Sequence, residues 1–348
     1  MAEARLNALG LAVPERRYTQ HEVHGWNPWS DSTLIDKLFL DSPVHQRALY
    51  VPPDWYRTSR SLDETNAAWK QGALTLGGQA LSDALSRASQ SPQAVDWLGV
   101  TTVTGYCTPG LDLLLAKEYG LPSNVNRAHF NCIGCHAAVP LLKAAADHVR
   151  LRPGTVAATV AVEICSACFT DQPTPENLVA LSLFADGAAS AVVGSGPGPL
   201  LIDFESAFDF EHIDALGFGL TAGGFRIVLD PAIPEYIGQH IGACIERLLG
   251  RHGIQHEQVS VWALHPGGSA ILDAAGRALD LPASAMVHSR RVLRAFGNMS
   301  SPSVLFVLAE ALREAPPPPG SFGVLAAFGP GLGIETALIH FDGGPNER

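Results

Sequence analysis

Charged residues are scarce in this 348-residue chain, at 16% against 47% hydrophobic ones. Spread among 34 Gly and 25 Pro, so little charge excludes a solvated disordered chain or a fibre. It leaves a compact α/β enzyme with tight loops, long enough for about two domains of ordinary size. Long apolar runs are missing too. The longest, Thr155–Cys165, is interrupted by Glu163 and is too short to cross a bilayer, so no membrane segment is expected. The start has Glu3 and Arg5 ahead of a strand-like ALGLAV, without a cationic stretch leading into an apolar core. No secretory signal is read there, and the expected compartment is the cytoplasm. Positive charge is also in short supply. A net charge of −11 counts against nucleic acid as a partner. An anionic substrate would need local cations, for which Lys37, Arg47, Arg57, Arg60 and the run Arg290, Arg291, Arg294 are candidates. For any one of these, a solvated face is the readier explanation.

Cysteine is not scarce in pattern. Of six, Cys107, Cys132, Cys135, Cys165, Cys168 and Cys244, four form the pairs CIGC and CSAC. By spacing alone this is a zinc-ribbon pattern, and a zinc-stabilised, non-catalytic binding protein is the reading from another class. The context argues otherwise. CIGC runs into HAAVPLLKAAADHV, which puts Ala137, Leu141, Ala144 or Ala145 and Val149 on one helical stripe. CSAC follows TVAATVAVEI, a β-branched run suited to a buried strand. The expectation is therefore no metal, and no structural disulfide.

The chain also repeats itself. A helix and linker lead into VDWLGVTTVTG at 95, and IGQHIGACIERLLGRHGIQHEQ leads into VSVWALHPGG at 259. Gly134 opens GCHAAVPLLKAAAD and Gly297 opens GNMSSPSVLFVLAEAL; TVAATVAVEICSA at 155 is matched by SFGVLAAFGPG at 321. Three matched elements at nearly one offset predict a duplicated βαβ-type unit, with an N-terminal half 1–198 and a C-terminal half 199–348. In that arrangement Gly134-Cys135 and Gly297-Asn298 face each other at two helix N-termini. Unsatisfied amides and the helix dipole would lower the pKa of Cys135 there and favour the thiolate.

Together, GCHAAVPLLKAAAD, LFADGAASAVVGSG, ALHPGGSAILD, FGNMSSPSVLFVL and GVLAAFGPGLGIETALIH resemble the chalcone and stilbene synthase family, the type III polyketide synthases. TTVTGYCTPGLDLLLAKEYGL fits the same pattern upstream, so the resemblance runs from about residue 95 to the end. It implies a five-layered αβαβα thiolase fold, a homodimer, and a Cys-His-Asn triad at Cys135, His265 and Asn298. Cys135 would take the starter acyl group from coenzyme A as a thioester, helped by an ion pair with His265. Malonyl-CoA would then lose carbon dioxide, its enolate held by donors on His265 and Asn298. No cofactor is implied beyond acyl-CoA and malonyl-CoA as substrates. Each triad member has a plainer reading: a small buried thiol, a core histidine, a helix cap. Their coincidence in one pattern favours the functional one.

The resemblance further implies Phe184 and Phe225 as aromatic gatekeepers, and Thr108 as a side chain crossing the dimer into the neighbour's cavity. Ser300 and the loop Gly329-Pro330-Gly331 would line the same space. Cavity positions that often hold threonine in plant enzymes hold Cys165 and Cys168. His136 follows the nucleophile where a bulky apolar residue is common. LIDKLFLDSPVHQR resembles the cationic coenzyme A tract only at Lys37, with Arg47 as a further basic candidate and Ala270 as a contact for the pantetheine arm. Leu34 and Asp41 stand where basic residues are usual, which leaves an acyl carrier protein as an alternative donor. The leading expectation is iterative extension to a pyrone, resorcinol or related ring. The alternative is a single-condensation ketosynthase of the β-ketoacyl synthase III kind.

Overall fold

The run AATVAVEI forms a strand whose eight positions are all buried, as its β-branched and small side chains require of a strand covered on both faces. The computed structural model describes residues 2–26, 33–168, 174–221, 224–314 and 316–343. Its first elements are β1 (Arg5–Ala12), β2 (Arg17–Thr19), α1 (Gln20–Trp26), α2 (Thr33–Leu40), β3 (Gln46–Ala48) and α3 (Leu62–Arg87). Next come β4 (Trp97–Thr102), α4 (Leu111–Glu118), β5 (Asn126–Asn131), α5 (Ala138–Leu151) and β6 (Ala157–Ile164). They are followed by α6 (Cys165–Cys168), α7 (Pro175–Leu183), β7 (Asp186–Gly194), β8 (Leu200–Phe208), β9 (Leu216–Thr221) and β10 (Gly224–Leu229). The chain continues through α8 (Ile233–Gly250), β11 (Val259–Leu264), α9 (Ser269–Ala278), α10 (Val287–Phe296) and α11 (Ser303–Glu314). It closes with β12 (Ser321–Gly329) and β13 (Gly333–Phe341).

Among the described residues the main sheet has nine strands in the order β11-β12-β13-β8-β1-β7-β6-β4-β5. The order is nearly symmetric about its middle. In one leaf β4 and β6 run parallel with α5 between them in sequence, and β7 returns antiparallel. In the other, β11 and β12 run parallel across α11, and β13 returns antiparallel. The leaves meet at a single register pair, Arg5 with Leu200. The internal repeat is thus a repeat of strand–helix–strand units.

Three cores fix the layering. Helices α5 and α11 share one with the facing sides of both leaves: Leu141, Leu142, Val149, Val304, Leu305 and Leu308 pack with Ala161, Ala189, Leu325 and Ile339. Each fully buried aliphatic side chain there contributes about 1.5–3 kcal/mol relative to exposure. Helices α3 and α4 cover the outer side of the first leaf through Trp69, Leu76, Leu81, Leu111 and Leu115. Helices α8 and α9 cover the second through Ile237, Ile241, Leu248 and Leu272. The result is five layers, αβαβα.

The expected stripe on α5 is the buried one, with Ala137, Leu141, Ala145 and Val149 inaccessible. The helix starts later than expected, however. Its first residue is Ala138, and α11 begins at Ser303, so Cys135 and Asn298 stand in the turns leading to these helices and not in their first turns. Pro140 fits within the first turn of α5, where no amide is needed. The segment around Tyr50, unreadable in sequence, leads into α3. That helix is opened by a capping box between Ser61 and Glu64 of the kind that satisfies two orphan amides.

Candidate active site

The turn carrying Cys135 is shaped by Gly134, whose φ of +91° favours glycine and whose missing side chain makes room for Pro330. A Cβ there would come within 2.6 Å of the proline ring atoms Cγ and Cδ. The opposite turn is built alike. Gly297 has φ +73°, and a Cβ on it would lie 2.8 Å from the Leu183 carbonyl oxygen. Asn298 is clipped to the end of α7: its N–H donates to the Leu183 carbonyl (2.9 Å), and its carbonyl accepts from Ala185 N–H (2.8 Å).

These turns bring the two halves together. Ser300 Oγ donates to Cys135 Sγ at 3.2 Å, and Ser300 N–H donates to Asn298 Oδ1 at 2.8 Å. With Oδ1 occupied, the carboxamide nitrogen of Asn298 is the end left for a ligand. His265 ends β11, its N–H donating to the Ala326 carbonyl at 2.8 Å. A Cβ on Gly267 would lie 3.5 Å from the imidazole Nε2, so this glycine lets the backbone pass close under the ring. Cys135, His265 and Asn298 are all buried.

Burial keeps the pair neutral at rest. It pushes the Cys135 thiol up to about 12, partly offset by the Ser300 hydrogen bond. It holds His265 down to about 3, with the neighbouring His136 as a second cause. The expectation of a thiolate sharpened by a helix dipole is therefore corrected. The helix starts three residues too late, and desolvation outweighs what remains. A charge on either group alone is unfavourable.

A cavity of about 40 Å³ adjoins this turn, lined by Val103, Thr104, Cys165, Cys168, Asn177, Ala180, Phe184, Phe218, Phe225, Ile227 and Ser300. At 10–15 Å³ per site it holds roughly three waters. Cys135 packs in one cluster with Cys165, Ala180, Phe184 and Ile227. The two anticipated aromatics, both CSAC cysteines and Ser300 thus stand around one space. Phe218, Val103 and Thr104 had no signal in sequence.

Three expectations fail. His136 does not line the cavity: its ring is wedged against the β12–β13 turn, so close that a Cβ on Gly329 or Gly333 would overlap it. Gly329 and Pro330 accordingly pack against the nucleophile's turn, and neither they nor Gly331 is among the residues around the cavity. Arg47 does not face solvent phosphate. It is fully buried, donating to Gln20 Oε1 (3.0 Å) and to the Leu181 (2.6 Å) and Phe184 (2.7 Å) carbonyls, and burial lowers it to about 10. It clamps the end of α7, and its stem touches Gly297. Lys37, Ala270 and Thr108 are exposed. The other basic candidates pair at the surface: Arg57 with Asp54, Arg60 with Glu64, Arg290 with Asp273, Arg291 with Glu310 and Glu314.

Sequence reasoning noticed Glu163 only as an interruption, yet it is the polar hub under the site. Oε2 accepts from Val103 N–H (2.9 Å), Thr104 N–H (3.2 Å), Thr104 Oγ1 (2.8 Å) and Thr102 Oγ1 (3.3 Å). Oε1 accepts from Ser301 Oγ in the other half (2.7 Å). Burial lifts Glu163 to about 7 against these hydrogen bonds. The signal available was a carboxylate inside an otherwise apolar strand, which survives burial only with such partners.

The four C-x-x-C cysteines do not converge on a metal. Cys132 is exposed, Cys135 is buried at the turn, and Cys165 and Cys168 line the cavity. Among the described residues no group of three or more His, Cys, Asp or Glu could hold an ion, and no helix is long and apolar enough to cross a membrane.

Residues 49–197 match the N-terminal domain of chalcone and stilbene synthases and residues 211–341 match the C-terminal domain. The chain is 34% identical to a 1,3,6,8-tetrahydroxynaphthalene synthase of Streptomyces peucetius subsp. caesius, over 96% of this chain and 92% of that one. It is 33% identical to an alpha-pyrone synthesis polyketide synthase-like Pks18 of Mycobacterium tuberculosis, over 88% of this chain and 81% of that one. The crystal structure of 1,3,6,8-tetrahydroxynaphthalene synthase from Streptomyces coelicolor A3(2) superposes with a TM-score of 0.92 at 26% identity, covering 97% of this chain and 99% of that one. With both domains matched and both halves meeting at one buried cysteine, the chain belongs to the chalcone and stilbene synthase family and is a type III polyketide synthase, a condensing transferase.

Proposed function

We propose that Cys135, His265 and Asn298 carry out iterative decarboxylative Claisen condensation of an acyl-CoA starter with malonyl-CoA, and that the product is short. The observation that carries this reading is the junction at Ser300, which holds Cys135 Sγ from one half and Asn298 Oδ1 from its own. Transfer of the thiol proton to His265 lets Cys135 attack the starter thioester, and coenzyme A leaves. A malonyl group then loses carbon dioxide. The enolate oxygen is held by His265 Nε2–H and the Asn298 carboxamide N–H; the enolate carbon attacks the Cys135 thioester carbonyl, the C–S bond to Cys135 breaks, and the extended chain leaves on coenzyme A to be reloaded on the freed sulfur. The three phenylalanines on the cavity wall favour a short product such as a triketide pyrone. The named products of relatives span a bicyclic naphthalene and an alpha-pyrone.

Lys37 and Ala270 remain the proposed coenzyme A contacts, now without Arg47. The two halves are taken as 1–198 and 199–348, and the partner as a second copy of the chain. Strand β5 is the outer strand at one end of the sheet, open to pairing, and the exposed Thr108 projects from the adjoining region. Six unpaired cysteines suit a cytoplasmic setting.

Short acyl-CoA starters and malonyl-CoA are the test, with products read by mass spectrometry. Triketide pyrones are the expected products. A single extension with every starter would instead establish the β-ketoacyl synthase III-like alternative, in which carrier-bound acyl groups become the donors to try.

A further inference from the structure

A charge-lined groove away from the catalytic cavity has no part in the chemistry above. It encloses about 350 Å³ between α3, β1, α10 and α11, within the range of about 300–1,000 Å³ common for small-molecule sites. Its floor is apolar. Leu9 and Leu11 alternate along β1 and so face the same side, Val13 follows just past its end, and Phe296 meets Phe306 edge to face at 5.4 Å. All but Phe306 are only half-buried, so these side chains pack on the core from below and leave their upper surfaces open.

The rim is ionic but unevenly paired. On α3, Arg87 Nε donates to both oxygens of Asp83 at 2.9 Å. On α11, Arg313 pairs with Glu310 at 3.0 Å, and Glu310 also holds Arg291 of α10 at 3.1 Å. Arg17 differs. Its guanidinium lies 5.1 Å over the Phe296 ring, and no carboxylate or carbonyl partners it among the described residues. An aromatic face with a spare planar cation above it presents an apolar slot closed at one end by positive charge.

We propose that this groove binds a small aromatic carboxylate, its ring against Phe296, Phe306 and the β1 side chains and its anion on Arg17. A flat ring suits the two aromatic walls, and the fork of Arg17 suits a carboxylate. The groove shares no lining residue with the catalytic cavity, so its occupant need not compete with the acyl thioester.

The probe is 2-naphthoate, titrated into the full-length protein by calorimetry, with decanoate as the aliphatic comparison. Saturable one-to-one binding is expected, weakened about tenfold by Arg17→Ala and lost in Leu11→Asp. Arg17→Lys, which keeps the charge but not the planar fork, should recover part of the affinity. The urea midpoints of all three variants establish that each is folded. Absence of saturable 2-naphthoate binding up to millimolar concentration would overturn the site. So would binding unchanged by Arg17→Ala in a folded protein. Decanoate binding as tight as naphthoate would overturn its aromatic character.

Discussion

The two turns that build the active site share one design yet differ in what holds them. Each follows a glycine of positive φ, each precedes one of the two central helices, and each is packed against the other half or its extension. The Cys135 sulfur takes a hydrogen bond from Ser300 of the C-terminal half. Asn298, by contrast, is fixed by backbone hydrogen bonds to Leu183 and Ala185 and by Ser300 two residues on. The duplicated fold supplies a pair of equivalent positions. On the proposed roles, divergence has made one a nucleophile held through its side chain by Ser300 and the other a donor anchored through its backbone. That division matches the chemistry: the sulfur must change partners at every cycle, whereas a group stabilising an enolate works best when it does not move.

The comparison predicts unequal losses. Cys135→Ala should abolish acylation altogether, read as the disappearance of the acyl adduct by intact-protein mass after incubation with an acyl-CoA. A surviving adduct would assign the nucleophile elsewhere. Asn298→Ala should still load the acyl group on Cys135 but lose about 10²–10³-fold in malonyl-CoA decarboxylation. Loss of loading as well as decarboxylation would show that the Asn298 turn also shapes the nucleophile, and the contrast between the turns would fail.

Most of the architecture was legible because it is written in short-range patterns. The buried strand before CSAC, the helical stripe after CIGC and the matched spacing of three elements each reflect one periodicity and one apolar face. What was not legible depends on pieces that meet only in three dimensions. Arg47 looks like a surface cation in sequence, and only the folded position of the Leu181 and Phe184 carbonyls shows it to be an internal clamp. Phe218 sits in a strand whose inward face cannot be known before its hairpin is placed. The expected acidity of Cys135 failed for a related reason. The glycine predicted the turn, but the helix began after it, and the burial that sets the thiol's proton affinity is a property of the whole assembly.

The smallest effect concerns His136, which follows the nucleophile and has no counterpart in the Asn298 turn, where Met299 stands. Its ring is buried, and Nδ1 has no hydrogen-bond partner among the described residues; burial lowers it from 6.5 to about 4. Below about pH 6.5 the unfolded chain takes up a proton that the folded chain refuses, so the neutral ring's contribution to stability is lost as pH falls, levelling off below about pH 4. Between about pH 7.5 and pH 5 this amounts to about 2 kcal/mol. His136→Leu, similar in volume and without a titrating group, should remove that component. Urea midpoints should then place the variant near the parent at the higher pH and clearly above it at the lower. Equal shifts at both pH values would mean that the imidazole is protonated in the fold, held by a partner not apparent at the β12–β13 turn. The two glycine-led turns would then differ in charge as well as in what holds them.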